Sequence, residues 1–410
     1  MFPLQGVRVL DLSRIVAGPL CTQYLGELGA EVIKVETPTG GDDTRSWPPM
    51  QDGVGAAFLA FNCNKQSIAV DLKNPEGLSI VRKLAKTAQV MIESFNTGVA
   101  QRLKVDYESV RADNPSVVYC SISGYGRTGP LGKQPGYDLM AQAYSGIMSL
   151  TGEKNGNPIR SPFSPLDQTT GIHAVVGILS GLMNCQRTGK GSYMEVSLFE
   201  TGLAFLGYNA QSYWIKGVVP ERSGSGHESL CPYQAFQASD GYLLLGVGND
   251  NLWRKFCGAA SLEHVQDDPK FRSNADRVSR FDETVSMVAE VIRRRTVGEW
   301  MEAFQAAGVP CSPINTLDTV LAHPQTLARN MVMDYVHPYF GPQKATPQPI
   351  MFGGKTREVL SAPPLLGQHT EEVLGSLNYA PEEVRRLHDQ GIIFANPKIR
   401  TSEEQSQRRT

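Results

Sequence analysis

The sequence has few of the features that mark secreted, metal-binding or nucleic-acid-binding proteins. Its seven cysteines are scattered, odd in number and without a C-x-x-C pair, which argues against a disulfide framework and favours a reducing compartment. No zinc-ligand spacing appears among the cysteines and the seven histidines. The formal net charge is -2, whereas nucleic-acid-binding proteins usually carry a basic surface. We therefore expect no bound metal and no nucleic-acid partner.

Targeting signals and long apolar runs are also missing. The N-terminus, MFPLQGVRVLDL, leads directly into a strand-like stretch and has neither the basic region nor the apolar core of a signal peptide. No window approaches the roughly 18 apolar residues that a membrane span needs. We expect a cytoplasmic protein without a membrane partner, and a mitochondrial or peroxisomal location stays open.

The usual motifs of hydrolases and nucleotide-binding enzymes are absent as well. The chain has no G-x-S-x-G elbow, the common sequence signal of an α/β-hydrolase. The glycine-rich segment Gly124-Tyr125-Gly126 lacks the spacing of a dinucleotide fingerprint or a phosphate loop, which argues against nicotinamide and ATP sites. It is either an ordinary loop or a place where backbone N–H groups approach a ligand closely.

The first third of the chain alternates strand and helix patterns. This order predicts an α/β fold in which helices cover a parallel sheet. Ligands bind at the carboxyl ends of the strands in such sheets, so we expect functional residues in the loops that follow them. The predicted strands are 7–12, 31–36, 67–72, 90–95 and 117–123.

The length of 410 residues suggests more than one domain. A segment rich in Gly, Ser and Pro at 218–230 predicts a crossover, and a hairpin is predicted at 233–247 with Asp240-Gly241 as its turn. A long helical region is predicted at 279–307, and the chain returns near Pro324. We therefore expect a large domain from residues 1–217, a smaller α+β domain at 218–323, and a return segment at 324–410 that completes the large domain.

Asp167 is the main catalytic candidate. Pro162 and Pro165 precede it, and small and apolar residues follow at helical spacing, so Asp167 is predicted to be the N-cap of a helix. Capping alone would explain it. The same position also keeps a carboxylate ionised, because a helix N-terminus favours negative charge, and a carboxylate held at a cleft can act as a nucleophile. The pattern leaves both roles open.

Three further polar residues are weaker candidates for a functional role. Lys73 and Arg102 both follow predicted strands, where they would meet phosphates at the edge of the sheet or be solvated surface charges. Asp138 opens a helix after Pro135-Gly136, where capping is the simpler explanation.

Seven segments of the chain form a distinctive set: LQGVRVLDLSRIVAGPLCTQYLGELGAEVIKVE, GDDTR, FNCNKQSIAVDLKNPEG, YCSISGYGRTGP, GYDLMAQAYSG, LDQTTG and PPLLGQHTEEVL. Together they resemble the family III CoA-transferases, also called the CaiB–BaiF superfamily. They cover most of the chain in the family's order. Two other segments, RSGSGHESLCPYQAF and DGYLLLGVGN, are similar to the branch that includes the succinate–hydroxymethylglutarate CoA-transferases.

The resemblance implies a Rossmann-like large domain built from both chain ends, a smaller domain from the middle, and a homodimer of interlocked subunits. It also implies that Asp167 is the catalytic aspartate. Val16 and Thr37 stand where the formyl-CoA branch has glutamine and arginine, and that branch's glycine-rich loop is missing near 223–230, so oxalate or formate chemistry is not expected. The residues implied to contact CoA are Val16, Leu72, Lys73, Phe95, Asn96, Arg102, Tyr137 and Asp138.

The implied reaction moves coenzyme A from an acyl-CoA to a free carboxylic acid through an aspartyl intermediate. Succinyl-CoA or another dicarboxylyl-CoA is an expected donor, and no metal or redox cofactor is expected because CoA is a substrate. Two alternatives stay open: an α-methylacyl-CoA racemase and a non-catalytic acyl-CoA-binding relative. The racemase branch has a histidine where this chain has Tyr137, and tyrosine is a poor base near neutral pH, which favours the transferase.

Overall fold

A computed structural model describes residues 2–353 and 359–396. It has a mixed α/β architecture with a mostly parallel central sheet, which confirms the predicted fold class at that level. The described chain divides into two compact units. The first unit comprises the chain up to Gly146, Ser161–Gly207 and the described residues from Gln325 onward, and the second comprises Ile147–Arg160 and Tyr208–Pro324.

The strands are short, and most belong to the first unit. In chain order they are β1 (Arg8–Leu12), β2 (Glu31–Glu36), β3 (Met50–Gln51), β4 (Val54–Gly55), β5 (Gln66–Val70), β6 (Val90–Glu93), β7 (Val118–Ser123), β8 (Ser192–Ser197), β9 (Tyr233–Gln237), β10 (Tyr242–Gly246), β11 (Cys311–Pro313), β12 (Met333–His337), β13 (Gly341–Ala345) and β14 (Ile393–Phe394).

The helices vary from a single turn to 24 residues. In chain order they are α1 (Ala17–Glu27), α2 (Ala56–Phe61), α3 (Pro75–Ala85), α4 (Val99–Arg102), α5 (Tyr107–Asp113), α6 (Asp138–Tyr144), α7 (Ile147–Leu150), α8 (Pro165–Thr188), α9 (Leu198–Lys216), α10 (Asp250–Ala259), α11 (Glu263–Gln266), α12 (Asn274–Ser279), α13 (Phe281–Ile292), α14 (Val297–Ala307), α15 (Leu317–Leu321), α16 (Pro324–Ala328), α17 (Thr370–Ser376) and α18 (Pro381–Asp389). A 3₁₀ helix spans Asp43–Ser46.

A seven-stranded sheet forms the centre of the first unit, in the order β14-β5-β2-β1-β6-β7-β8. β14 is antiparallel to β5, and the other neighbours are parallel. Numbered along the chain, the parallel strands lie in the order 3-2-1-4-5-6, so the direction of winding reverses between β1 and β6. In open α/β sheets, ligands bind outside the carboxyl ends of the strands at such a reversal.

Five strands of this sheet, β1, β2, β5, β6 and β7, are almost continuously buried, as expected when helices cover both faces of a parallel sheet. In the edge strand β8, half-buried and exposed residues alternate as far as the buried Ser197. In β1 every residue after Arg8 is buried, and β6 is buried throughout. β5 ends at Val70 and β6 at Glu93, two residues before the predicted ends. Leu72 and Phe95 therefore lie in the loops that follow these strands.

Helix α8 packs closely against α1. A Cβ atom on Gly171 would lie 2.6 Å from the Ala17 carbonyl oxygen, so this approach of the two helices requires glycine. Ala17 is the first residue of α1, directly after the loop that follows β1. The packing therefore brings the first turn of α8 to the carboxyl edge of the sheet.

The second unit contains a three-stranded sheet in the order β11-β10-β9. β9 and β10 pair antiparallel, which confirms the hairpin predicted at 233–247. The helical region predicted at 279–307 is two helices, α13 and α14, because Thr296 begins a new helix with a capping box to Glu299. The core between the hairpin and the helices includes the buried aromatic residues Trp253, Phe256, Trp300 and Phe304.

The compact units differ in extent from the predicted domains 1–217, 218–323 and 324–410. The chain leaves the first unit after Gly207, whose φ of 37° and ψ of -115° interrupt α9. Ile147–Arg160 also belongs to the second unit, which no pattern in the sequence indicated. Compactness does not test independent folding, so the domain assignment stays a prediction.

No helix in the ranges 2–353 and 359–396 combines the length and hydrophobicity needed to cross a bilayer. Across the same ranges, histidine, cysteine and carboxylate side chains form no group of three or more that is suited to a metal ion.

Candidate active site

A cavity of about 180 Å³ lies where the strand order of the sheet reverses. Loops that follow β1, β6 and β7 form its walls, together with the loop before α6 and a carboxylate from α8. Ligands are expected at this position in an open parallel sheet. The lining comprises residues 14–18, 94–97, 122–124, 126, 127, 132, 134–137, Asp167 and Leu198.

Asp167 enters this cavity from the first turn of α8. The prediction that it is the N-cap is wrong: Ser164 is the N-cap, Pro165 is the first helical residue and Asp167 is the third. Proline is tolerated at the first position because that N–H has no intrahelical partner. Ser164 has a left-handed φ of 50° and makes no capping bond through its side chain, so the free N–H groups of α8 need another acceptor.

Asp138 supplies that acceptor from α6. Its Oδ2 accepts hydrogen bonds from the Leu166 N–H at 2.8 Å and the Asp167 N–H at 3.1 Å. The prediction that Asp138 caps its own helix is therefore wrong, since Tyr137 is the N-cap of α6 and the Asp138 carboxylate caps α8. A capping carboxylate of this kind satisfies donors that the helix cannot satisfy itself.

Gln142 holds both Asp138 and the loop before α8. Its Nε2 donates to Asp138 Oδ1 and, at 3.2 Å, to the Ser161 carbonyl, while its Oε1 accepts from the Ser161 N–H at 2.9 Å. Gln142 is buried. It lies one turn after Asp138 on α6, and this spacing was the only sequence signal for it. Its role in holding Asp138 and the loop was not predicted from the sequence.

The electrostatic environment of Asp167 keeps its carboxyl group basic. Burial, and secondarily the Asp138 carboxylate, raises the pKa of Asp167 to about 7. Within the described ranges, no N–H or O–H group donates a hydrogen bond to the Asp167 side chain, which would lower that value. A raised pKa in a cleft is typical of functional carboxylates. Near neutral pH this group exists in both protonation states.

Arg127 fixes a second wall of the cavity. Its Nε donates to Ser121 Oγ at 2.8 Å, its Nη1 to the Phe95 carbonyl at 2.7 Å, and its Nη2 to Glu93 Oε1 at 2.9 Å. The guanidinium thereby joins the ends of β6 and β7. Glu93 is buried, and burial raises its pKa although Arg127 opposes the shift. The sequence placed Arg127 beside a glycine-rich segment but gave no sign of this role.

The structure brings together some of the residues implied to contact CoA. Val16, Phe95, Asn96 and Tyr137 line the same cavity as Asp167. Asp138 lies behind the cavity, with both carboxylate oxygens engaged by hydrogen bonds within the chain, and it supports the turn that carries Asp167.

The other implied contacts do not line this cavity. Leu72 and Lys73 follow β5, which is separated from β1 by β2, and Leu72 packs against the core of the first unit. Arg102 ends α4. Lys73 and Arg102 are exposed, so their two interpretations, phosphate contact and surface charge, stay open.

Acid–base groups other than Asp167 are sparse around the cavity. Among its described lining residues, Asp167 is the only carboxylate and there is no histidine. His173 lies further along α8, with its Nδ1 3.2 Å from Thr201 Oγ1, and does not line the cavity. Tyr137 lines it with a side chain that is 57% exposed.

Comparisons with known proteins agree with one another. The family model of CoA-transferase family III matches residues 4–370. The human succinyl-CoA:glutarate CoA-transferase is 38% identical over 393 residues, covering 95% of this chain and 90% of the relative. The succinate–glutarate CoA-transferase of Agrobacterium fabrum is 36% identical over 390 residues, covering 92% of this chain and 96% of the relative.

A solved structure is similar as well. The crystal structure of a CAIB/BAIF family protein from Brucella suis has a TM-score of 0.83 and 36% sequence identity, covering 92% of this chain and 99% of that one. The match of the family model over nearly the whole chain, and relatives of this identity and coverage, confirm the resemblance carried by the sequence segments. This chain belongs to CoA-transferase family III.

Proposed function

We propose that this CoA-transferase takes coenzyme A from a dicarboxylyl-CoA, with succinyl-CoA as the first donor to test, and that Asp167 carries the acyl group during transfer. The observation that supports this proposal most is the state of Asp167. It is a carboxylate without hydrogen-bond donors in the described chain, with a pKa of about 7, in a cavity at the reversal of the sheet.

A carboxylate is a weak nucleophile when donors solvate it, and its nucleophilicity rises with its basicity. The environment of Asp167 supplies both conditions, because burial raises its pKa and no donor in the described residues competes for its oxygens. Asp138 and Gln142 hold the turn that carries it. The carboxylate is therefore free to react while its backbone is fixed.

The proposed chemistry consists of two exchanges at Asp167. The ionised carboxylate attacks the thioester carbonyl of the donor and expels the CoA thiolate, which leaves a mixed anhydride. The thiolate then attacks the Asp167 carbonyl carbon and expels the donor acid, giving an aspartyl-CoA thioester. The acceptor carboxylate attacks this thioester and releases the thiolate, which finally attacks the acceptor carbonyl and restores Asp167. Each step breaks one acyl bond as another forms.

The size of the cavity suggests how CoA lies. At about 180 Å³ it is smaller than the 300–1,000 Å³ that is usual for small-molecule sites, so it would hold only the reacting end of an acyl-CoA. The rest of CoA would extend along the carboxyl edge of the sheet. Lys73 and Arg102 follow β5 and β6 there, and exposed cations at such positions suit the phosphates of CoA.

The names of the relatives guide the choice of donor and acceptor. Both curated relatives described above are named for succinyl-CoA or succinate and for glutarate. A dicarboxylate pair is therefore the first to test in this chain. The direct test is a panel of succinyl-, glutaryl- and acetyl-CoA against succinate, glutarate, oxalate and monocarboxylic acids. Activity confined to monocarboxylic substrates would reject the dicarboxylate part of the proposal.

The covalent step has its own test. Hydroxylamine added during turnover should convert the acylated carboxyl group to a hydroxamate at Asp167, identified by peptide mass spectrometry. Enzyme treated without an acyl-CoA is the matched control and should remain unmodified. Active turnover with no modification, or with modification of a different carboxylate, would contradict the role of Asp167.

We further propose a Rossmann-like first unit, a homodimer of interlocked subunits, a cytoplasmic location and a reaction without a metal or redox cofactor. The second unit exposes large apolar side chains that a partner subunit would cover, among them Trp214 at 71% and Ile215 at 75% exposure. Light scattering should give about twice the chain mass of 44.8 kDa. A stable and active monomer would contradict the dimer.

A further inference from the structure

The loop after β1 contains a strained residue. Ile15 has a φ of 75°, and it is the only β-branched residue with a positive φ in the described ranges. A β-branched side chain in this region of φ is a genuine outlier and is energetically unfavourable. Such a conformation persists only when neighbouring groups hold it. Ile15 and its neighbours in residues 14–18 line the cavity of Asp167.

Asp42 is the group that holds Ile15. The Ile15 N–H lies 3.3 Å from Asp42 Oδ1 and 3.2 Å from Oδ2, donating between the two oxygens. Thr44 donates to Oδ1 through its N–H at 3.0 Å and its hydroxyl at 2.8 Å. The Asp42 carboxylate is thereby fixed in one orientation, with one face toward the strained backbone.

Lys34 completes the arrangement from β2. Its Nζ lies 2.9 Å from Asp42 Oδ2, and both side chains are 0% exposed. The same Nζ donates to the Ser13 carbonyl at 2.9 Å. One ammonium group therefore holds the loop after β1 directly at Ser13 and, through Asp42, at Ile15. Removing one member of a buried pair leaves an uncompensated charge, so the two residues act as a unit.

The charge of Asp42 persists over the whole range of neutral pH. Burial alone would raise its pKa, but Lys34 and the Thr44 donors lower it to about 2. The Asp42 carboxylate, which we call the anchor, is therefore ionised at every pH at which the enzyme can be assayed. The Ile15 N–H donates to a charged group. The GDDTR segment that contains Asp42 had no role in the sequence analysis beyond its resemblance to the family.

We infer that Asp42 is a positioning residue for the transfer reaction: by holding Ile15 in its strained conformation, it fixes the wall of residues 14–18 against which the acyl-CoA binds. This inference rests on the proposed binding of acyl-CoA beside Asp167. Asp42 itself does not line the cavity and touches no reacting atom. Its effect is expected in the affinity for CoA compounds more than in the chemical step.

The test combines a loss with a rescue. Asp42→Asn should raise KM for succinyl-CoA, and Kd for free CoA measured by calorimetry, by about tenfold, since the loop can relax once the charge is gone. At saturating substrate, kcat should change less. Glycine adopts a φ of 75° without strain, so adding Ile15→Gly to Asp42→Asn should recover a large part of the lost affinity. Ile15→Gly alone measures the loss of the side chain.

Controls separate positioning from stability. Asp250 pairs with the buried Arg277 in the second unit at 3.0 Å, so Asp250→Asn should lower the melting temperature and leave the Kd for CoA unchanged. If Asp42→Asn does not fold, Thr44→Val is the alternative variant. It removes the 2.8 Å hydrogen bond from the Thr44 hydroxyl to Asp42 and keeps the ion pair with Lys34. It should also raise the Kd for CoA, by a smaller factor than Asp42→Asn. Folded anchor variants with normal KM and Kd, or a double variant that binds no better than Asp42→Asn, would overturn the inference.

A readout independent of turnover distinguishes failure of this inference from failure of the proposed function. Hydrogen exchange of the Ile15 amide should be faster in Asp42→Asn, or in Thr44→Val, than in the wild-type chain. If the wild-type enzyme neither binds CoA nor transfers it, the proposed function fails, and the anchor is judged by this exchange rate alone. Unchanged protection of Ile15 in the variant would then refute the anchor.

Discussion

Two aspartates near the same edge of the sheet show how neighbours decide what a carboxylate does. Asp42 accepts hydrogen bonds from Ile15 and Thr44 and pairs with Lys34, and its pKa is about 2. Asp167 has no donor to its carboxylate in the described chain, and its pKa is about 7. Asp42 is buried and Asp167 is half-buried, so burial alone, which raises the pKa of a carboxyl group, would give the opposite order.

The difference lies in the donors. Burial raises the pKa of both groups, but in Asp42 an ammonium group and several hydrogen bonds more than offset it. At Asp167 the neighbouring Asp138 carboxylate adds to the effect of burial. The fold thus builds one ionised anchor, Asp42, and one basic carboxylate, Asp167, to which no group of the described chain donates. Asp42 suits a positioning role and Asp167 suits covalent chemistry.

The largest expected effect is the loss of transfer in Asp167→Ala. If Asp167 is the nucleophile, its removal should reduce kcat by more than about a thousandfold, as for other groups that form the covalent intermediate. Circular dichroism and thermal melting should show a folded chain, because the Asp167 side chain satisfies no donor in the described structure. Asp113→Asn on α5 is a matched carboxylate control and should transfer normally. Substantial transfer by the alanine variant would remove the distinction between the two aspartates.

A smaller effect is expected from Asp138→Asn, which tests why Asp167 is basic. The neutral amide can still accept from the N–H groups of α8 but no longer repels the Asp167 carboxylate. The pKa of Asp167 should therefore fall below about 7, and the acidic limb of the kcat/KM profile should move to lower pH. The weaker cap should cost about 1 kcal/mol of stability.

The pH profile of Asp138→Asn is the informative measurement, since a merely structural role would lower activity equally at every pH. Asp113→Asn again serves as the control and should keep the wild-type profile. An acidic limb that stays in place, or moves to higher pH, would show that Asp138 does not act on Asp167 through its charge.

Stability provides a third test, with the sign set by linkage. The pKa of Asp167 is about 7 in the folded state against an ordinary value of 3.8, so the folded state binds more protons between these pH values. The contribution of this group to stability is full below about pH 4 and is lost as pH rises to 7. We therefore compare the unfolding free energy of Asp167→Asn with that of the wild type at two pH values. The difference, variant minus wild type, should be more positive at pH 8 than at pH 5 by on the order of 2 kcal/mol.

Urea unfolding of both proteins at pH 5 and pH 8 measures this difference. The asparagine side chain brings its own packing and desolvation costs, but these do not titrate, so only the change with pH is diagnostic. For Asp42 the opposite holds: because its pKa is lowered to about 2, its contribution to stability is full above about pH 4 and is lost as pH falls towards 2. A difference between wild type and Asp167→Asn that is constant with pH would contradict the raised pKa.

The parts of the fold that depend on local pattern were predictable from the sequence. The strands from β1 to β7 in the central sheet lie within two residues of their predicted ends, because buried strands and the glycine or proline residues around them leave clear local patterns. Asn74 caps α3 as predicted, with its side chain accepting from the Glu76 N–H. The resemblance to the family, through the segment LDQTTG, made Asp167 the catalytic candidate.

The relations between distant segments were not predictable in the same way. Asp138 and Asp167 are 29 residues apart in the sequence. The hydrogen bond from the Asp167 N–H to Asp138 Oδ2 depends on how α6 meets α8. The local pattern could only suggest that each capped its own helix, which was wrong for both. Asp42 and Ile15 are 27 residues apart, and no pattern in the sequence indicates a positive φ at an isoleucine.

The smallest expected effect, none, concerns exchange of the α-proton and separates the transferase from a racemase. A racemase must remove and return a proton at the carbon next to the thioester carbonyl, so it needs two acid–base groups on either side of that carbon. Among the described residues that line this cavity, Asp167 is the only carboxylate and there is no histidine. His173 interacts with Thr201 instead of lining the cavity, and Tyr137 is a poor base near neutral pH because an ordinary tyrosine has a pKa of about 10.

A 2-methylacyl-CoA incubated with the enzyme in heavy water should therefore keep its α-proton, while the same preparation transfers CoA between a suitable acyl-CoA and a free acid. Rapid incorporation of deuterium without CoA transfer would mean that Asp167 acts as a base with an unidentified partner, and the contrast with Asp42 would then be one of acid–base chemistry instead of covalent chemistry.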